Sequence, residues 1–337
     1  MDYIRKINTE LNPYVDENLN KSVIDLFAGC GGLSLGFEAV GFRTTGYEIL
    51  DDAAETCRNN LLGECYTQRL TPETEYPKAD IVIGGPPCQP FSVGGKQLGL
   101  KDSRDGFPIF IAAIEKIQPE IFLFENVRGL LYKNKWYLQE IVNYLKELGY
   151  TIFYRLLNAK YYGVPQNRER VIVIGSRKGL NLPTKVNYFV SAGEALGEMA
   201  FEAPPNSKFL TPSMDAYVAK YEKASYCINP RDLHLNKPAR TLTCRNLAGA
   251  TGDMHRIKLP DGRRRRLFPG EAARLQSFPD WFKFYGNETS IFNQIGNAVA
   301  PYFALSLAKE IKKYFTEKTN GKNYPLRDEN NQLLLFK

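Results

Sequence analysis

Four stretches of this 337-residue chain place reactive side chains beside glycine and proline. In Gly84-Gly85-Pro86-Pro87-Cys88-Gln89-Pro90-Phe91-Ser92 a thiol follows the apolar run Asp80 to Gly84, which reads as a buried strand. The carboxyl end of such a strand is where α/β sheets place their sites, so Cys88 could act as a nucleophile. A lone cysteine is more often an inert core residue. Here the flanking prolines and glycines are not core formers, and Pro86 and Pro87 stiffen the approach. A loop with Gly94, Gly95 and Gly99 follows and ends in Lys101-Asp102-Ser103-Arg104, suited to closing over a substrate. The second stretch, Asp25-Leu26-Phe27-Ala28-Gly29-Cys30-Gly31-Gly32-Leu33-Ser34, leaves another strand and opens a helix. Its glycines let the backbone turn sharply toward a ligand, and Glu48, at the end of the next strand, can take a ribose hydroxyl pair. The spacing GxGGxS is not a clean dinucleotide fingerprint, so by itself it marks only a nucleotide-type site. The remaining two stretches are Glu125-Asn126-Val127, ending a strand, and Gln166-Asn167-Arg168-Glu169-Arg170, preceding one. Taken singly, these last two read better as a surface carboxylate and a solvated charge run.

The elements that must hold these residues alternate. Strands are expected over 22–28, Phe42 to Tyr47, Asp80 to Gly84, Ile121 to Phe124, Tyr150 to Asn158 and Val171 to Ser176. Helices are expected after the glycine turn, over Ala53 to Asn60, from Pro108 onward, and over Tyr137 to Leu148. That alternation predicts a doubly wound, mostly parallel sheet. After Gly179 turn formers and scattered basic and aromatic residues predominate over 180–262, and a helical pattern returns near Ile291 and runs through Phe315.

Composition agrees with a globular chain: 43% hydrophobic, 24% charged, net charge +7. Over 181–290 there are 16 Lys and Arg against 11 Asp and Glu, so the basic excess concentrates in that third. A mild excess permits a polyanionic partner without demanding one. The six cysteines form no CxxC pair and there are two histidines, which predicts neither a metal site nor a disulfide framework. The first 22 residues lack the apolar core of a secretory signal, and no run approaches a membrane span, so a cytoplasmic protein is expected.

Together the four stretches resemble the DNA cytosine-5 methyltransferase family over roughly residues 20–315. The stretches that carry the resemblance are DLFAGCGGLSLGF, GGPPCQPFS, DSRDG, FENVRGLL, QNRER, RRLFPGEAARLQSFPDWF and QIGNAVAPYFALSLA. It implies an α/β fold, the Rossmann-like doubly wound sheet of S-adenosylmethionine-dependent methyltransferases, with a smaller irregular target-recognition domain. The expected division is 1–180 catalytic and cofactor-binding, 181–288 target recognition, and 289–337 returning to the first domain. The resemblance makes Cys88 the nucleophile, Glu125 the partner of cytosine N3, Arg170 that of O2, and Arg168 a brace. Phe27, Gly29, Gly31, Leu33, Glu48, Pro87, Asn297 and Val299 are expected at the cofactor, S-adenosyl-L-methionine. The family's acidic adenine contact is missing, and Gln68 is the candidate replacement.

The expected substrate is double-stranded DNA, contacted through Ser92, Arg104, Arg240, Thr241, Thr243, Arg245 and Asn246. The run Arg263 to Arg266 is as well suited to phosphate as to plain solvent exposure. A compact, monomeric modification enzyme of a bacterial restriction-modification system is expected. It would work without a stable complex with its cognate endonuclease and meet the nucleoid through DNA. A tRNA-directed relative, a non-catalytic DNA binder and an NAD-type oxidoreductase are the alternatives; the last leaves GPPCQ and ENV without a purpose.

Overall fold

The structure, a computed structural model, describes residues 2–87, 105–180, 182–224, 231–249 and 253–317. Its strands are β1 (Ser22–Leu26), β2 (Arg43–Glu48), β3 (Glu64–Thr67), β4 (Ile81–Gly84), β5 (Ile121–Val127), β6 (Thr151–Asn158), β7 (Gln166–Asn167), β8 (Glu169–Ser176), β9 (Ala239–Arg240), β10 (Arg256–Lys258) and β11 (Arg264–Arg266). Its helices are α1 (Tyr3–Glu10), α2 (Gly32–Glu38), α3 (Asp51–Asn60), α4 (Phe107–Ile117), α5 (Gly129–Tyr132), α6 (Lys135–Glu147), α7 (Ala192–Leu196), α8 (Pro212–Ala224), α9 (Cys244–Ala248), α10 (Pro269–Leu275), α11 (Glu288–Asn297) and α12 (Pro301–Thr316).

Seven strands form one sheet in the order β3-β2-β1-β4-β5-β8-β6. The first five pair parallel, and β8 runs antiparallel to both of its neighbours. The sheet is buried on both faces, which is why β1 and β4 read as continuous apolar runs. Alternation sorts their side chains into two layers. Val23, Ile81, Ile83, Ile121 and Leu123 join the core under α2 and α12. Ile24, Val82, Phe122 and Phe124 join the core under α4 and α6.

One boundary and one edge strand differ from expectation. β5 continues through Val127, so Glu125 and Asn126 lie inside a strand, and Val127 pairs with Arg170 of β8. The edge strand β3, largely exposed and only four residues long, carries too little pattern to be read from sequence. The segment between β8 and α10 holds short elements plus one 13-residue helix, α8, that the sequence reading did not anticipate. The C-terminal helix α12 lies across α2. A side-chain carbon at Gly36 would come within 2.4 Å of the Leu305 nitrogen, so only glycine allows this approach. Among the described residues no helix is long and apolar enough to cross a membrane.

Candidate active site

The chain runs outward from β1 to β2 and β3, then returns to β4 and β5 on the other side. Between β1 and β4 the carboxyl ends of the strands part, and a crevice opens where open α/β sheets bind ligands. A cavity of about 1400 Å³ lies there, lined among others by Asp25, Phe27, Gly29, Glu48, Pro87 and Glu125. Its floor is the turn after β1, where Phe27 (φ 62°) and Gly29 (φ 57°) are both left-handed. For a bulky side chain that conformation costs about 1–2 kcal/mol, strain kept where the backbone meets the cavity.

Glu48 fastens this turn. Its Oε2 accepts from Gly29 N at 2.9 Å, and its Oε1 accepts from Ile49 N and Leu50 N, each at 2.9 Å. Leu33, Asn297 and Val299 also line the cavity. Gly31 does not. A side chain there would point into the core, 2.8 Å from Leu61 Cδ1 and 3.0 Å from Cys57 Sγ, so this glycine serves packing and a φ of 87°. Gln68 is exposed and off the cavity wall; its backbone N donates to Glu48 O at 2.7 Å.

Asp25, which the sequence reading gave no role, is buried at the end of β1 and accepts 2.7 Å from Ser34 Oγ. Burial, offset in part by the Ser34 hydrogen bond, pushes its carboxyl up to about 7. A carboxyl inside the apolar run SVIDLFA was itself the signal.

On the opposite wall Glu125 Oε1 forms an ion pair with Arg170 Nε at 2.6 Å, both side chains being about nine-tenths buried. Gly85 leaves room beside Glu125 Oε2: a side-chain carbon at Gly85 would meet that oxygen first, at 4.0 Å. Asn126 Nδ2 donates to Pro86 O at 2.9 Å and so fixes the segment that leads to Cys88. Cys88, Ser92 and Arg104 lie outside the described residues. The two ends of their segment are tied, since Gly106 N donates to Pro87 O at 2.9 Å. Buried Asp105 anchors that end, accepting from Phe107 N and from the Tyr137 hydroxyl.

Arg168 does not reach the cavity. It is 2% exposed and donates to the carbonyls of Leu242 (2.8 Å), Gly296 (3.1 Å) and Ala298 (2.9 Å). Burial, and after it the Arg170 charge, push its guanidinium well below the usual range. Buried Gln166 and Gln276 extend this junction. Gln166 Oε1 accepts from Leu242 N at 2.9 Å, its Nε2 donates to Gln276 Oε1 at 2.5 Å, and Gln276 Nε2 donates to Ala298 O at 2.8 Å. The strand edge at 166–170, the turn at 242 and the end of α11 are thereby locked together. QNRER pointed to Arg168 and contains Gln166, but it gave no sign of the pairing with Gln276, because a hub of this kind depends on partners more than 70 residues away.

The residues expected to meet DNA divide. Thr243 and Asn246 form a capping box at the start of α9: Thr243 Oγ1 accepts from Asn246 N and Asn246 Oδ1 from Thr243 N. Asn246 is buried and also donates to Thr241 O. Thr241 Oγ1 donates to Asn167 O at 2.7 Å. These three side chains serve the backbone here, not an exposed reading face. Arg240 is half-buried and bonded to Asp253, whereas Arg245 is exposed. Cys244 donates from Sγ to Asn297 Oδ1 at 3.0 Å, bringing α9 to the cavity wall.

The run Arg263 to Arg266 is divided: Arg263 is exposed, Arg264 and Arg266 are half-buried, and Arg265 is buried. Arg265 is buried against Glu271 (2.7 Å), Arg264 pairs with Asp232 and Asp215, and Arg263 pairs with Asp261. The strand β11 turns Arg265 inward between half-buried Arg264 and Arg266, and Arg266 donates to the Leu247 carbonyl.

Residues 21–313 match the family described as C-5 cytosine-specific DNA methylase. The chain is 53% identical to Type II methyltransferase M.AplI of Arthrospira platensis, covering 94% of this chain and 93% of that one. It is 34% identical to Type II methyltransferase M.FnuDI of Fusobacterium nucleatum, covering 88% and 95%. In fold it is similar to the Entamoeba histolytica methyltransferase EhMeth (TM-score 0.67, 16% identity, 88% of this chain and 99% of that one). It is also similar to Spodoptera frugiperda DNMT2 (TM-score 0.64, 19% identity, 88% and 100%). The chain belongs to the C-5 cytosine-specific DNA methylases, and is an enzyme that methylates carbon 5 of cytosine in DNA.

Proposed function

We propose that Cys88 attacks carbon 6 of a cytosine extruded from duplex DNA, and that Glu125 and Arg170 hold the ring while carbon 5 is methylated. Carbon 5 is a poor nucleophile in an aromatic ring. A sulfur–carbon bond at carbon 6 makes it enamine-like and divides one hard step into two easier ones. A free thiol, with a pKa of about 8.5, is mostly protonated at neutral pH, so positive charge from Arg170 favours the thiolate. As sulfur adds, negative charge moves onto N3 and O2. Glu125 Oε2 is the oxygen left to meet N3, and the Arg170 guanidinium meets O2. Once carbon 5 carries the methyl group its proton leaves to a base, and the freed electron pair expels the Cys88 thiolate. Extruding the base costs a few kcal/mol. The observation that carries this reading is Glu125, ion-paired to Arg170, on the cavity wall with Pro87, one residue before Cys88.

S-adenosylmethionine, which supplies an electrophilic methyl group when bound, fits the cavity. Ile49 and Leu50 line it with exposed apolar side chains, and Gln294 Oε1 is buried there without a hydrogen-bond partner among the described residues. The Glu48 carboxylate has lone pairs left for ribose hydroxyls. Residues 1–180 are the catalytic and cofactor domain, 181–288 the recognition domain, and 289–337 the returning segment; the seating of α12 on α2 supports the last assignment.

Its Type II methyltransferase relatives give the biological setting: protection of host DNA in a restriction-modification system. The enzyme acts there as a cytoplasmic monomer that meets the nucleoid through DNA, with no stable complex with the cognate endonuclease. Incubation with labelled S-adenosylmethionine and mixed genomic DNA, then bisulfite sequencing, tests this reading. Methylcytosine in one short repeated context is the expected result; label on tRNA and none on DNA would overturn it.

A further inference from the structure

Three arginines of the recognition segment converge on one carboxylate. Arg231 Nε lies 3.4 Å from Asp253 Oδ1, Arg240 Nη1 3.5 Å from the same oxygen, and Arg245 Nε 3.8 Å from Oδ2. Arg240 Nη2 also donates to the Asp253 carbonyl at 3.0 Å. One negative charge therefore faces three guanidiniums. The neighbouring acid Asp232 relieves nothing, because Arg256 (2.7 Å) and Arg264 (2.9 Å) already hold it. Arg231 Nε and Arg240 Nε are buried with no hydrogen-bond partner among the described residues. Beside them His255 is 2% exposed, and the Thr241 backbone lies within hydrogen-bonding reach of its ring. Burial, then the Arg240 charge, pushes its imidazole down to about 3, so it stays neutral and adds donors or acceptors but no charge. The cluster is thus a polar site with two surplus positive charges and unfilled hydrogen-bonding positions. It is also fixed relative to the chemistry: Arg240 pairs in register with Asn167, the residue before Arg168.

We propose that Arg231, Arg240 and Arg245, fanned out by Asp253, form one grip for the phosphodiester backbone of the DNA strand beside the extruded cytosine. The inference rests on the DNA-methylating reading and adds Arg231 as a contact and Asp253 as a positioning residue. Phosphate is the favoured partner because each phosphodiester brings a negative charge, whereas a base edge is neutral and leaves the surplus in place. Guanidinium forks match phosphate oxygens in pairs.

The test is the salt dependence of binding to a duplex carrying the methylated sequence, with S-adenosylhomocysteine present. Arg231→Ala and Arg245→Ala are each expected to flatten the slope of log affinity against log salt by about 0.9. The double variant should flatten it by about twice that, while relative rates on singly substituted sites stay as in the parent. Arg263→Ala, which removes a residue paired with Asp261 at the surface, should leave the slope unchanged. If Arg231→Ala lowers the thermal midpoint, Arg245→Ala carries the test alone, since that side chain is 79% exposed. Unchanged slopes in both variants overturn the grip. So does an unchanged slope with relaxed preference at one base pair, which assigns the cluster to base reading. A parent protein that neither binds nor methylates DNA sinks the DNA reading itself, a different failure from methylation with unaltered slopes.

Discussion

The two oxygens of Glu125 have separate surroundings. Oε1 is held by Arg170 Nε at 2.6 Å, and Oε2 faces the space that Gly85 leaves open. A carboxyl in this position can share a proton with a ring nitrogen while its partner guanidinium addresses the adjacent oxygen. Glu125→Gln keeps the shape but loses both the ion pair and the shared proton. Turnover in single-turnover methyl transfer is expected to fall at least ~100-fold, the usual scale for one acid–base or charge-stabilising group, with DNA binding retained. An unchanged rate removes Glu125 from its role. The sequence showed Glu48 by its place at a strand end, whereas Glu125 and Arg170 took their roles from the family resemblance, since singly they read as a surface carboxylate and part of a solvated charge run. It did not show the separation of Arg168 from Arg170. The two lie on one short stretch, yet one side chain is spent on three backbone carbonyls and the other faces a carboxylate.

Elements hold the site by close approach. The contact of α2 with α12 allows no side chain at Gly36, where a Cβ would sit 2.5 Å from the Ala304 carbonyl carbon. Gly36→Ala is expected to push the helices apart and lower stability by about 1–3 kcal/mol, the usual cost of overpacking, read from the urea midpoint. A midpoint equal to the parent's contradicts this packing. Strand and helix alternation was legible through the sheet except at its exposed edge strand β3, since buried parallel strands are continuous apolar runs between glycine-rich turns. The recognition segment was not, because short elements carry little periodicity. Its Arg263 to Arg266 run illustrates the failure: composition suggests solvent or phosphate, but a strand's period of two sends Arg265 inward to Glu271. The capping box of Thr243 and Asn246 also looks in sequence like a pair of polar reading residues.

For the whole molecule, two buried groups pull stability in opposite directions with pH. Asp25 has its folded pKa raised to about 7, so the unfolded chain gives up the proton first. Its contribution is complete below the unfolded value, near 4, and is lost as pH rises toward 7. His255, lowered to about 3, contributes stability present above about 6.5 and lost as pH falls. As pH falls from about 7, the Asp25 term gains while the His255 term is lost, so the two oppose. Asp25→Asn is expected to lose less stability than the parent between pH 5 and pH 8, by up to a few kcal/mol, in urea titrations at the two pH values. Parallel losses would place the Asp25 titration elsewhere.

All of these scales serve a thiol one residue beyond Pro87. The most direct measurement is methyl transfer to DNA by Cys88→Ala, alongside its DNA affinity. The account predicts no detectable transfer with affinity close to the parent's, because the cofactor cavity, Glu125 and Arg170 remain in place. Transfer at the parent's rate would contradict covalent attack by Cys88.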